Sequence, residues 1–213
     1  MTIKYHGDMV QGSDEWHAAR CGLLTASEVK LILTPTLKVA ENDKTRAHMW
    51  ELLAQRITKH VEPSYIGDAM LRGWTDEITA RDLYSKHHAP VTETGFITND
   101  KWGFTLGYSP DGLVLGYDGL IECKSRVQKY QIQTIAEDEV PKEFMLQLQT
   151  GLLVTEREWI DFISYSGGLP MYVKRVYPDA EIQAAIIDAA TAFETKLAEN
   201  MTAYKAALAA MPV

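Results

Sequence analysis

Three charged residues near the middle of the chain have the types and spacing for joint chemistry. In GYSPDGLVLGYDGLIECKS, residues 107–125, Asp111 is followed by Glu122 and Lys124. Side chains of a β-strand alternate faces with period two. Glu122 and Lys124 therefore share one face, and Ile121 and Cys123 the other. Residues 112–117 read as a preceding strand, with Asp118-Gly119 as the hairpin turn. Such a hairpin carries Asp111 back toward Glu122 and Lys124. Two carboxylates and an ammonium then meet at one end of a sheet. A Glu-x-Lys alone is a weak signal, since about one is expected by chance in a chain of this length. The competing reading is a surface ion pair, and the second carboxylate is what lifts the motif above it.

A third acid, Glu77, falls on a predicted helix. Clustered carboxylates without a His/Cys set favour hard, oxygen-seeking cations, Mg²⁺ or Mn²⁺, over zinc. Mg²⁺ takes one or two protein carboxylates and keeps several waters, which leaves room for a phosphate. Such an ion lowers the pKa of a bound water and stabilises charge developing on a phosphoryl group. A lysine beside it can orient or help deprotonate that water. Phosphodiester hydrolysis asks for this set, and a structural salt-bridge cluster is the alternative. His6, His17, His48 and His60 are scattered, and the adjacent His87 and His88 cannot both face one ion from a helix. No nucleophile elbow, Walker loop or dinucleotide fingerprint is present.

A second constellation lies in SDEWHAARCGLLTASEV, residues 13–29. Arg20 follows a helical turn, and Ser27 sits just past a predicted helix cap. A helix N-terminus, a hydroxyl and a guanidinium together make a phosphate pocket. Ordinary capping plus a surface arginine is the competing reading.

The elements that must position these residues follow a mixed α/β order. Residues 13–20 read as a short helix broken by Gly22. Thr25-Ala-Ser-Glu28 reads as a capping box that opens a helix through Leu33. A loop over 34–42 precedes a helix from Asp43 to His60, periodic through Met49, Leu52, Leu53 and Ile57. Another helix runs from about Asp68 to His87. Strands are expected near 91–98, 103–107, 112–117 and 119–124. A short helix fits 126–136, and Pro141 opens a helix to Val154. Strands over 159–165 and 171–177 follow, then a long Ala-rich helix from Asp179 to about Ala209. A central mixed sheet with helices on both sides fits this order.

Composition narrows the classes. The chain has 213 residues, 46% apolar and 23% charged, which fits one domain, 1–213, with a full core. No stretch approaches the ~18 to 20 apolar residues of a membrane span. The first residues lack the apolar run of a signal peptide. Cys21 and Cys123 are not in metal-type spacing, so a reducing cytoplasm is expected. The net charge of −8 argues against a broadly basic nucleic-acid coat but leaves room for a local basic groove.

The chain resembles the lambda-type alkaline exonucleases, the YqaJ-like viral recombinase family within the PD-(D/E)xK nuclease superfamily. The matching pieces are EWHAARCGLLTASEV at 15–29, GWTDEITARDLY at 73–84, SPDGLV at 109–114, IECK at 121–124 and EFMLQLQTGLLVT at 143–155. They occur in the family's order, and together they span about 11–165. The C-terminal helix matches in general character only. The resemblance implies a restriction-endonuclease-like α/β core, a central mixed sheet flanked by helices, and a long C-terminal helix.

By position, it implies that Asp111 and Glu122 are metal ligands, with the Cys123 backbone carbonyl as a third. Glu77 matches the helical acid that completes the site or serves a second metal. Lys124 matches the catalytic lysine, and Gln147 the helix residue that supports the metal site or the attacking water. Arg20 and Ser27 match the pocket for a terminal 5′-phosphate, with Ser109 a further candidate. A basic residue beyond the Glu-x-Lys usually reaches the same phosphate, and Arg126 and Lys129 are offered here, neither in clear register.

The implied activity is Mg²⁺-dependent 5′-to-3′ digestion of duplex DNA ends, with Mn²⁺ as substitute, leaving a 3′ single strand. The implied partners are a single-strand annealing protein and two further copies of the chain in a ring-shaped homotrimer. The implied setting is a bacterial cytoplasm, with the gene carried by a phage or prophage. Two alternatives stand beside it: a repair or restriction endonuclease of the same superfamily, and a non-catalytic DNA-binding subunit that keeps the fold.

Overall fold

The computed structural model describes residues 2–63 and 67–211. Local sequence signals set most helix ends. Helix α1, Asp14–Arg20, is capped by Ser13, whose hydroxyl accepts from the Trp16 amide. It stops at Gly22, where φ is +72° and a Cβ would lie 2.6 Å from the Arg56 side chain. Helix α2, Asp43–Thr58, is capped by Asn42, which accepts from the Lys44 and Thr45 amides. Helix α3, Asp68–His87, follows. Helices α4, Gln128–Glu137, and α5, Lys142–Thr155, come after the motif strand, with Pro141 at the cap of α5. Asp179 caps the 31-residue α6, Ala180–Ala210.

Among the described residues, nine strands form two sheets rather than one. They are β1 Ile3–His6, β2 Leu24–Thr25, β3 Val91–Thr92, β4 Phe96–Asn99, β5 Leu106–Tyr108, β6 Gly112–Val114, β7 Gly119–Ser125, β8 Trp159–Tyr165 and β9 Tyr172–Val176. One sheet runs β1-β4-β5-β2 and the other β3-β6-β7-β8-β9. The pairs β2–β5 and β7–β8 are parallel, and the others antiparallel. Helices α4 and α5 make the crossover between β7 and β8. Helix α5 touches β4 and β5 in one sheet and β8 in the other, so it binds the sheets together.

Three local expectations change. The strand expected over 91–98 is split, and its halves serve different sheets. The break falls at Gly95, where a Cβ would lie 2.2 Å from the Met9 carbonyl oxygen. The hairpin forms, but its turn is the four residues between Val114 and Gly119, with Gly116 at φ +77°. Gly119 belongs to β7, because the Trp159 ring fills the space a side chain would need. The capping box at Thr25 also forms, with Glu28 Oε2 accepting from the Thr25 amide and hydroxyl. The helix it opens is a single 3₁₀ turn, Val29–Leu31. It is capped at Ile32, Leu33 bridges Val39 instead, and Pro35 disfavours helical backbone at Thr34. The short β1 and β2 were not expected.

The larger core joins both sheets to α2, α5 and α6 through residues such as Leu24, Ile97, Leu106, Leu148, Phe162 and Phe193. A smaller cluster packs α3 on β7 and β8 through Ala80, Tyr84, Ile121, Cys123 and Ile163. Each large apolar side chain among them contributes about 1.5–3 kcal/mol by leaving water. Among the described residues, no helix is long and apolar enough to cross a membrane.

Candidate active site

The register Gly112↔Ile121 places Asp111 opposite Glu122, at the point where β6 begins. Both carboxylates are buried. Asp111 Oδ2 accepts from the Cys123 amide, which β6 is too short to reach. No hydrogen bond falls on Asp111 Oδ1 among the described residues. Glu122 Oε1 accepts from Lys124 Nζ at 2.7 Å and from Gln147 Nε2 at 2.6 Å. Its Oε2 accepts from the Tyr108 hydroxyl at 2.6 Å. Three elements therefore converge on one carboxylate: β7 by alternation, α5 through Gln147, and β5 through Tyr108.

Charge is compressed here. Burial holds the Asp111 carboxyl well above the usual carboxylate range, and the nearby Glu122 and Glu77 add to the shift. Burial, with Glu122 and Asp111, pushes the Tyr108 hydroxyl well up, and burial, with Asp111, Glu77 and Glu122, does the same to the Cys123 thiol. Burial alone would lower the Lys124 ammonium, but Glu122 and Asp111 outweigh it and raise it. Lys124 is thus a stable cation, and only part of its side chain reaches solvent.

Glu77 approaches from α3 but is held by another residue. Arg81 donates to its Oε1 at 3.1 Å, to the Asp111 carbonyl at 3.1 Å, and reaches Glu93 at 2.9 Å. Burial raises the Glu77 carboxyl, Arg81 opposes this, and Glu122 adds to it. Among the described residues, no three His, Cys, Asp or Glu side chains gather closely enough to hold an ion by themselves. Glu77 therefore does not complete a three-acid set in this arrangement. The residues still fit a Mg²⁺-type ion, which needs only one or two protein carboxylates. Asp111 and Glu122 are adjacent, all-oxygen donors, and the Asp111 Oδ1 lone pairs are unspent. In a strand, N–H and C=O of one residue point the same way, which turns the Cys123 carbonyl toward Asp111 as well.

The second constellation also assembles. Arg20 donates to Ser109 Oγ at 3.4 Å and to Thr25 Oγ1 at 3.1 Å. The Ser27 hydroxyl is 3.4 Å from Thr25 Oγ1. The Arg20 guanidinium lies 4.3 Å from the Trp16 ring and 5.6 Å from the Phe96 ring. Trp16 Nε1 donates to Ser109 Oγ and to the Gly95 carbonyl. Burial lowers the Arg20 pKa and Glu28 opposes this, yet no carboxylate among the described residues pairs with it directly. A guanidinium held between aromatic rings and hydroxyls, without its own anion, is a site for an incoming one.

Arg126 and Lys129 do not join this cluster. Arg126 pairs with Glu143 and lies near the Tyr130 and Phe144 rings. Lys129 lies 4.6 Å from the Tyr130 ring. Phe144 is also 5.6 Å from Lys124 Nζ, so this basic pair borders the Lys124 side instead. Sequence reasoning missed Tyr108, Arg81, Thr25 and Trp16. All four sit inside the quoted stretches. Tyr108 directly precedes SPDG and falls one residue past the strand expected over 103–107, which in fact runs Leu106–Tyr108.

A crystal structure of an alkaline exonuclease, LHK-Exo, from Laribacter hongkongensis is 33% identical with a TM-score of 0.81. LHK-Exo in complex with dAMP is 35% identical with a TM-score of 0.82. Both matches cover 92% of this chain and 98% of theirs. A phage related exonuclease from Haemophilus somnus 129PT, 13% identical with a TM-score of 0.56 over 84% of this chain and 96% of its own, shares the fold. No curated protein matches. The model of the YqaJ-like viral recombinase domain matches residues 15–158, which contain the acid cluster, its lysine and the arginine pocket. On that span and those structural matches, the chain belongs to the YqaJ-like viral recombinase family.

Proposed function

We propose that this chain is a deoxyribonuclease, a Mg²⁺-dependent exonuclease that digests linear duplex DNA from the 5′ end and leaves 3′ single strands. One observation carries the reading. The segment Tyr108–Asp111 joins an unpaired guanidinium to an acid cluster: Tyr108 bonds Glu122, Ser109 bonds Arg20, and Asp111 bonds Cys123. An anion pocket beside hydrolytic groups is what an enzyme that starts at a phosphorylated end requires. LHK-Exo, seen in complex with dAMP, supports the same chemistry, because dAMP carries one phosphate.

Asp111 and Glu122 would hold the ion with the Cys123 carbonyl, and Mn²⁺ could take its place. When bound, such an ion supplies a more acidic water and stabilises charge on the phosphoryl oxygens. Lys124 spends one of its three donors on Glu122 and keeps two for the attacking water or the phosphate. Gln147 holds the carboxylate from α5. Glu77 would serve a second ion on leaving Arg81. Arg20, Ser27 and Ser109 would grip the terminal 5′-phosphate and set the register. Arg126 and Lys129 would contact the DNA backbone on the Lys124 side rather than the terminal phosphate.

A homotrimeric ring around the duplex would let a chain of net charge −8 line a channel with its cations. A single-strand annealing protein would take the product in the cytoplasm of a bacterium carrying the gene on a phage or prophage. The test is digestion of linear duplex labelled at either end, with a 5′-phosphate or 5′-hydroxyl, with and without Mg²⁺. Early release of the 5′ label, dependent on Mg²⁺, is expected. Comparable cleavage of closed-circular DNA would instead make the enzyme an endonuclease. DNA binding without hydrolysis in Mg²⁺ or Mn²⁺ would make it a non-catalytic subunit.

A further inference from the structure

Tyr108 lies entirely inside the protein, and its ring rests on a notch in α5. A Cβ at Gly151 would lie 2.8 Å from two carbons of that ring. Gly151 is one helical turn beyond Gln147, so α5 supplies both a donor to Glu122 and the space for a second donor. The ring spans the gap and places its hydroxyl on Glu122 Oε2.

The terminal torsion of a glutamate is broad and roughly two-fold, so donors on one oxygen leave the other free to swing. Here Lys124 and Gln147 occupy Oε1, and Tyr108 anchors Oε2. A carboxylate offers about four acceptor sites. Three are taken, and the one left is on Oε2.

We propose that Tyr108 is a positioning residue that fixes the Glu122 carboxylate and, with Lys124 and Gln147, leaves it one acceptor site for a metal ion. Glu122 would then bind through a single oxygen rather than clasp the ion with both. The proposal rests on the reading of Glu122 as a metal ligand. Tyr108 touches neither substrate nor ion; it acts through Glu122.

The test is Tyr108→Phe, which keeps the ring on Gly151 and removes only the hydroxyl. Digestion of 5′-phosphorylated linear duplex should slow in kcat by about ten- to a hundredfold, the effect of losing a hydrogen bond to a charged group, with KM for DNA within about twofold. Mg²⁺ affinity, read by calorimetry without DNA, should weaken as well. Gly151→Ala, which pushes the ring off its notch, should lower kcat in the same direction. Wild-type kcat and Mg²⁺ affinity in Tyr108→Phe would overturn the proposal. So would a loss of activity that only follows a loss of folded protein in circular dichroism. Failure of the wild type to digest linear duplex would instead count against the nuclease reading, while calorimetry still reads the Tyr108 effect.

Discussion

The Arg20 guanidinium lies 3.4 Å from the Ser109 hydroxyl, and Ser109 is two residues from the carboxylate of Asp111. The two halves of the site are therefore joined by one hydrogen bond and two residues of backbone. If Arg20 holds a terminal 5′-phosphate, it supplies binding and register rather than chemistry. A charge-assisted contact of this kind is worth about 1.5–3 kcal/mol. Arg20→Ala should slow digestion of 5′-phosphorylated duplex by about ten- to a hundredfold and of 5′-hydroxyl duplex far less. Equal slowing of both substrates would make Arg20 a general backbone contact or a structural residue.

Lys124 should separate binding from turnover. Its ammonium sits on Glu122 and keeps donors to spare, so its loss removes an interaction made with the nucleophile or the transition state. Lys124→Ala is expected to retain DNA binding and Mg²⁺ binding while kcat collapses. A calorimetric titration that finds no Mg²⁺ binding would assign the lysine a structural role instead.

Arg81 holds the other side of the site. It grips the Asp111 carbonyl and the Glu77 carboxylate with one nitrogen, and Glu93 with another. A lysine at this position keeps the charge but not the planar fork. Arg81→Lys should lower kcat by about tenfold, because Asp111 loses its backbone anchor while the acids keep a nearby cation. Glu93 is largely exposed, so Glu93→Gln should change little. A rate unchanged in Arg81→Lys would show that charge alone suffices there.

The chemistry is legible in the sequence where it rests on short-range rules. Period-two alternation puts Glu122 and Lys124 on one face, and the hairpin brings Asp111 opposite them. The sheet plan is less legible, because its break depends on remote contacts. Gly95 must be glycine because Met9, far away in sequence, passes against it. Tyr108 is illegible for the same reason: its hydroxyl reaches Glu122 only because Gly151 leaves room 43 residues later. Glu77 and Arg81 are an i,i+4 pair on α3 and so are legible as neighbours, but the reach of Arg81 to the Asp111 carbonyl and to Glu93 depends on how α3 lies in the fold. The Thr25 capping box is a true motif that opens only one 3₁₀ turn, after which Leu33 bridges Val39.

The last prediction turns on the cost of burying the Asp111 charge beside other acids. The ordinary Asp value is 3.8, and Asp111 is raised well above it by burial, with Glu122 and Glu77 adding to the shift. Below 3.8 its carboxyl is protonated in folded and unfolded chains alike, so it costs nothing. As pH rises past that value, the unfolded chain releases the proton first. The folded state then binds more protons, and stability falls with pH until the folded pKa is passed. Asparagine cannot ionise, and its side-chain oxygen can still accept from the Cys123 amide. Without metal at neutral pH, Asp111→Asn should therefore melt at a higher temperature than the wild type. The gap should narrow as pH falls toward about 4. Saturating Mg²⁺ should raise the wild-type melting temperature and leave the variant, now inactive, almost unmoved. A variant less stable than the wild type at every pH, with or without Mg²⁺, would mean that Asp111 is a structural acid and not half of a metal site.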